Sequence, residues 1–463
     1  MINRKLTYFA LGTLFMFTSC SQDEPAKSEL SVDGTRIYFR TYLPTVTQSR
    51  AGVVSSDNFN FCQVTCFNPD DTALIDSSTS AITPFFTNVR FEKDTNGRFL
   101  SQGDNKCMWP DSKSKLHFFA YYPAIDSMKK LSGENFFNLI NTSKLTDTTA
   151  VLDYKLEKFK VNTEIAKQVD FLTAYSSGSL LENANTGISL DFKHQLARIE
   201  LSAWGANEKY DFEIAGVRIG NPFVEGDFNL SALSTPKGDA QTWLNTTGHQ
   251  ASVEHIFSSG ETILLLSKTA ESHASEDDAV SIMGTAGPAM VIPMSARIEA
   301  WEGKSDPATA TTPYSTDKMY FSVLLRVKNK ENEVAYPYPN DRDNMTVIYL
   351  AVDNSGKINK RLYKIDGTYY TSSEKSDDSK YTPTDTEEIR GFGWAALPVA
   401  AKWEAGKIYT YKLNYSDGIG WHDPDDPKPG DPILERGKIP FTVNVAEWTP
   451  ADDYESDLNV PKR

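Results

Sequence analysis

Apolar residues fall at every second position in run after run of this sequence, and that period constrains what the chain can become. A period of two marks a half-buried β-strand, whereas a helix needs 3.6. Ile188, Leu190, Phe192, His194 and Leu196 share one parity. Ala197, Ile199 and Leu201 then take the other, which predicts a β-bulge or strand bend near Leu196–Ala197. An early stretch alternates through Ile37, Phe39, Thr41 and Leu43, and the last one through Ile439, Phe441, Val443 and Val445. Runs at 59–67, 115–123, 210–219, 319–327 and 347–352 also read as strands, and Asn96-Gly97 is a hairpin signal. Many short strands with hardly any helical period predict an all-β chain of β-sandwiches.

At 463 residues the chain is too long for one compact β domain. A Ser/Asn/Gly-rich stretch at 176–187 predicts a break, with an N-terminal β-sandwich at 51–185 and a C-terminal unit at 186–463. Residues 371–390 read as a long polar surface loop. His422 to Pro432 is too rich in proline for sheet or helix and reads as an extended linker before the terminal strand. Its carboxylates Asp423, Asp425 and Asp426 lack the Gly and closing Glu of a calcium loop, so solvated side chains are expected there.

The first twenty residues, MINRKLTYFALGTLFMFTSC, carry an export signal. Arg4 and Lys5 form a basic start, Leu11 to Phe17 an apolar core too short to span a bilayer, and Ser19-Cys20 a lipobox-like end. This predicts a signal peptide at 1–19 and a lipidated Cys20 that ties the chain to outer-membrane lipid. The acidic stretch Ser21 to Glu24 reads either as a surface-export tag or as a solvated tether. Residues 20–50 then form the tether and a leader strand, ending in a polar run at Arg50.

Charge and composition remove several function classes. Lys and Arg number 47 against 62 Asp and Glu, a formal net charge of −15, whereas a duplex-binding face must be basic. No nucleic-acid partner is expected. There is no His-Glu-x-x-His, phosphate-binding loop, nucleophile elbow or paired Cys-x-x-Cys, so no catalytic residue, metal or cofactor is expected. His194 lies on an apolar strand face and reads as a core histidine. Cys62 and Cys66 share a face but stand too far apart to bond each other. They are either buried thiols or one of them pairs with Cys107. Trp394, Trp403 and Trp448 fit strand-end core positions, though an exposed Trp on a β-sandwich can also stack on sugars.

These features in this order resemble the fimbrillin-like family, the type V pilins of Bacteroidales-type bacteria. The residues that carry the resemblance are the lipobox at Cys20 and the early strand ending near an Arg. To these are added Phe192-Lys193-His194-Gln195-Leu196-Ala197-Arg198-Ile199, the segment Trp403 to Leu413, the Pro/Asp stretch, and a last strand ending Val445 to Trp448. The resemblance implies two transthyretin-like β-sandwich domains in tandem and a role in assembly. A surface lipoprotein would be cut by an Arg-specific protease between Arg50 and Ala51, losing the leader strand of Ile37, Phe39 and Leu43. The groove left open would accept a donor strand, Ile439, Phe441, Val443 and Val445, from another fimbrial subunit. Stalk, tip and anchor roles all fit, and a tip would also contact a host or bacterial surface receptor. The alternative from the residues is a surface glycan-binding lipoprotein.

Overall fold

The computed structural model describes residues 35–43, 58–102, 107–124, 138–147, 149–205, 207–234, 242–247, 251–267, 273–301, 317–338, 346–426, 430–434 and 437–448. The chain is all-β, with sheets of ten, eight, five, four and two strands. Among the described residues the only α-helix is one turn at Leu180–Asn183.

The eight-stranded sheet runs in the order Ile188–Asp191, Tyr38–Tyr42, Phe99–Ser101, Phe86–Lys93, Phe61–Phe67, Leu116–Tyr122, Leu172–Gly178 and Lys193–His194. Its two edges belong to neighbouring segments of the chain, so the sheet curls around one core of Phe, Ile, Leu and Cys side chains. The expected hairpin at Asn96-Gly97 is present. Gly97 takes a φ of +75°, and the Asp94 carboxylate accepts from the amides of Asn96 and Arg98. Cys62, Val64 and Cys66 share the buried face of Phe61–Phe67, and Cys62, Cys66 and Cys107 form no disulfide. Burial pushes the Cys62 and Cys66 thiols up, away from the reactive thiolate.

The ten-stranded sheet has the main order Ser252–Ile256, Tyr210–Gly220, Tyr320–Asn329, Glu387–Pro398, Val347–Asp353, Ile358–Ile365 and Thr368–Tyr370. It faces the five-stranded sheet, whose main order is Val280–Ser281, Ala197–Trp204, Lys407–Asn414 and Phe441–Glu447. Ile199 and Leu201 from one side meet Phe212, Val217, Phe321 and Val323 from the other in a shared core, an arrangement consistent with a β-sandwich.

The parity switch at Leu196–Ala197 is a change of sheet. Lys193–His194 pairs with Leu172 and Thr173 in the eight-stranded sheet, whereas Ala197–Trp204 lies in the five-stranded one. Ile188, Leu190 and Phe192 of the first parity fill one core and Ala197, Ile199 and Leu201 of the second fill the other, with Leu196, the last residue of the first parity, already in the second core.

Strand pairing reaches across the boundary expected at 185–186. Ile188–Asp191 runs parallel to the leader strand, and Tyr154–Lys160 pairs with Glu225–Asn229 in the four-stranded sheet. The segment expected as a long polar surface loop at 371–390 is an exposed, irregular stretch through 386 that is tied down at points along its length. Thr371 and Tyr381 donate to the carbonyls of Ser379 and Tyr369, and residues 387–390 already belong to a strand.

One buried carboxylate ties distant turns together and gives stability a pH dependence. Glu261 accepts from the amides of Ser258 (2.6 Å) and Thr285 (2.6 Å) and lies 3.1 Å from Nε2 of His255. Burial alone raises its pKa, but the bonds from His255, Ser258 and Thr285 outweigh that and pull it down to about 2, from an ordinary 4.5. A depressed carboxyl stabilises the fold above its unfolded pKa, and that stability is lost as pH falls from about 4.5 toward about 2. Glu261→Gln is expected to lower unfolding free energy at pH 7 by about 1–3 kcal/mol and to flatten this acid limb. Urea titrations of both proteins between pH 7 and pH 3 check it; parallel curves would refute it.

Candidate functional site

Two strands in this fold are placed unusually, and they are the first and the last among the described residues. The leader strand Tyr38–Tyr42 is no flap over the surface. It lies inside the eight-stranded sheet, parallel to Ile188–Asp191 on one side (Phe39 opposite Ile188) and antiparallel to Phe99–Ser101 on the other. Its period of two sends Ile37 and Phe39 into the core, where both are fully buried. The Phe39 ring meets Phe91 and Phe118 edge-on, with centroids 4.8 and 5.2 Å away. Leu43, the third predicted leader residue, is half-buried against the same core. Just before the strand, Arg36 bridges Met108 and donates to the carbonyl of Ser101. Burying Ile37 and Phe39 contributes on the order of 3–6 kcal/mol of apolar burial. The expected cleavage point Arg50–Ala51 and the expected lipidated Cys20 lie outside the described residues.

The terminal strand Phe441–Glu447 is the reverse case. It forms one edge of the five-stranded sheet, antiparallel to Lys407–Asn414, and all seven of its residues are exposed. Phe441, Val443 and Val445 stand opposite Leu413, Tyr411 and Tyr409, on the face that turns toward the core. Yet they remain 37%, 47% and 50% exposed on this edge strand. Ile439 departs from the expected pattern. It precedes the strand and is buried in the main core, so three of the four predicted donor residues form the exposed row.

Both ends of this strand are pinned. Trp448 is buried, and its indole stacks on the imidazole of His194 at 4.1 Å and 2°. Nδ1 of His194 lies 2.8 Å from a carboxylate oxygen of Asp170, so the last strand is anchored on the eight-stranded sheet. A cleft of about 800 Å³ opens beside this anchorage, walled by Lys193, Trp243, Lys402, Glu404 and Glu447 among others. Among the described residues no group of three His, Cys, Asp or Glu is placed to hold a metal ion.

Upstream of the strand the structure corrects the expectation of an extended, solvated linker. Asp423 is 1% exposed. It accepts from Nη1 of Arg218 at 3.1 Å and from the hydroxyl of Ser322. Asp426 is also buried, near Nδ1 of His422 (3.4 Å). Backbone bonds from His422 to Asp431 and from Ile433 to Gly420 close the segment into a clasp. The physical reason is Arg218, the one cation of the strand Tyr210–Gly220, stacked over Trp394 at 4.4 Å. A buried guanidinium needs carboxylates, and the Pro/Asp segment supplies them. Burial raises the pKa of Asp423, and Arg218 and Ser322 oppose that rise. Arg218 was the legible signal for this contact; the Asp170 contact had none in the sequence.

The family model described as fimbrillin-like matches residues 69–300, half of the chain. This chain belongs to the fimbrillin-like family. No curated protein matches it. Several solved structures are similar to it, each provisionally assigned to cell adhesion. One from Bacteroides ovatus is 13% identical with a TM-score of 0.36, covering 90% of this chain and 99% of its own. One from Bacteroides uniformis is 11% identical with a TM-score of 0.35, covering 89% and 98%. One from Parabacteroides distasonis is 11% identical with a TM-score of 0.37, covering 89% and 99%. In this fimbrillin-like chain the matched segment contains most of the eight-stranded sheet but neither the leader strand nor the terminal strand. The tryptophans that would serve a sugar-binding surface, Trp394, Trp403 and Trp448, are all buried in cores.

Proposed function

We propose that this protein is a structural or adhesive fimbrial subunit, not an enzyme, assembled on the cell surface by protease-triggered β-strand exchange. The single observation that carries the reading is the leader strand's place inside the sheet. Removing it would leave two unpaired strand edges, at Phe99–Ser101 and Ile188–Asp191, and a groove lined by the former neighbours of Ile37 and Phe39. Such edges recruit another strand. The terminal strand offers one, with apolar residues at the same spacing of two and an unburied row ready to be covered.

In this reading two transthyretin-like sandwich units are preceded by a signal peptide at 1–19. Cys20 carries the lipid that holds the precursor at the outer membrane, and cleavage between Arg50 and Ala51 frees the subunit and opens its groove together. The partners are other fimbrial subunits, with a surface receptor where the subunit stands at a tip. Limited trypsin treatment of the purified full chain, followed by N-terminal sequencing and a non-boiled gel, tests it. A new N-terminus at Ala51 with a ladder of oligomers is expected, and Arg50→Ala should keep the precursor intact and monomeric. A nicked protein that stays monomeric would overturn the exchange mechanism.

A further inference from the structure

The far edge of the ten-stranded sheet carries a surface that neither the leader nor the terminal strand uses. The strand Ile358–Ile365 reads Ile-Asn-Lys-Arg-Leu-Tyr-Lys-Ile, and Lys360, Arg361 and Lys364 are all exposed. Three cations within five residues stand out in a chain of net charge −15. Three nearby carboxylates are committed elsewhere. Asp366 pairs with Lys375 at 2.9 Å, Glu387 accepts from Asn359 and Tyr381, and Glu388 pairs with Arg326 and Arg390. Lys360, Arg361 and Lys364 have no carboxylate partner among the described residues.

Aromatic rings lie beside these cations on both faces of the strand, Tyr363 on the face of Arg361, and Tyr349 and Tyr369 on that of Lys360 and Lys364. Arg361 stands 5.6 Å from the ring of Tyr363, and Lys364 5.8 Å from that of Tyr349. Tyr369 packs against Tyr349 at 5.2 Å and 68°, and Tyr363 and Tyr369 are both only half-buried. Where the strands Val347–Asp353 and Ile358–Ile365 part, they leave a cleft of about 240 Å³ bordered by Val347, Tyr349, Arg361, Tyr363, Lys364 and Ser373.

We propose that this surface binds an acidic polysaccharide, one whose sugars bear carboxylate or sulfate groups. Tyrosine faces are apolar bodies on which a sugar ring can lie, and the guanidinium fork and ammonium groups match the anionic substituents. The cleft is below the ~300–1,000 Å³ of a site that encloses a whole ligand, so it takes one sugar unit while its neighbours lie along the exposed strand. A bilayer surface is the poorer fit. A flat anionic sheet would meet the acidic body of the protein, whereas a thin polymer meets only the local patch. Contact through a few exposed cations must also weaken with salt. The proposal is independent of strand exchange, since the surface exists in the uncut chain.

The test immobilises the full-length protein and measures binding of polygalacturonate, heparin and neutral dextran at 50 and 500 mM NaCl. At least one acidic polymer is expected to bind at 50 mM salt and dissociate at 500 mM, with dextran unbound. The double variant Arg361→Ala/Lys364→Ala should lose at least tenfold in affinity with an unchanged thermal melt. Failure of both acidic polymers to bind, equal binding of dextran, or an unaffected double variant would each overturn the proposal. Preferential binding of phosphatidylglycerol vesicles would overturn it in favour of a membrane surface.

Discussion

Replacing Val443 and Val445 together by Asp is expected to abolish fibre formation while shifting the subunit's melting temperature by no more than about 2 °C. The two effects separate because these side chains have different surroundings in the two states. In the folded subunit they are 47% and 50% exposed on an edge strand, so a carboxylate there stays hydrated. In the proposed exchange the same row fills a groove vacated by Ile37 and Phe39, both fully buried. Each apolar side chain entering that groove contributes about 1.5–3 kcal/mol, whereas an unpaired ion buried there costs several. Two such reversals exceed what main-chain pairing alone can hold. The measurement is a pair of assays on one preparation: a thermal melt of the uncut chain, and a gel after nicking at Arg50. An unchanged ladder from the double variant would sink the assignment of Phe441–Glu447 as donor. Deleting 439–463 should also stop polymerisation, but it removes the buried anchors Ile439 and Trp448, so the point substitutions are the cleaner test.

Phe39→Ala is expected to destabilise the uncut precursor by about 3–5 kcal/mol, the usual cost of emptying a fully buried phenylalanine site. Phe39 is enclosed by sheet on both sides of its strand and meets Phe91 and Phe118 edge-on, so the cavity has little room to collapse. The consequence for assembly runs the other way. A leader held less tightly leaves the groove more readily, so the variant should polymerise faster once cut, and the finished fibre, having lost residue 39, should match the parent in stability. Denaturant unfolding of the precursor and of purified fibres measures both arms. A precursor as stable as the parent would mean that the leader is not an integral strand. Fibres weakened to the same degree would mean that it is never removed.

Much of this was legible from alternation alone. The runs at Ile37 to Leu43 and Phe441 to Val445 are strands, Asn96-Gly97 is a hairpin, and His194 is a core histidine. The parity change at Leu196–Ala197 was visible as a bend, but its cause, passage from one sheet to another, was not. Composition misled at 422–432. Proline and aspartate usually mean a solvated linker, and the buried Arg218 that draws Asp423 inward lies 205 residues away. Ile439 was grouped with the terminal strand by spacing, yet it is buried just before that strand begins.

What the sequence by itself determined is local: a period of two and a turn dipeptide depend only on neighbours along the chain. The tertiary structure decided partners. Nothing near Phe39 says that its strand will lie parallel to Ile188, and nothing near Val443 says that its row will be left uncovered. Period two specifies which face is apolar but not which strand lies alongside it. That choice rests on contacts between segments far apart in the chain, where side-chain packing and hydrogen-bonded edges must together outweigh the entropy of closing the loop between them.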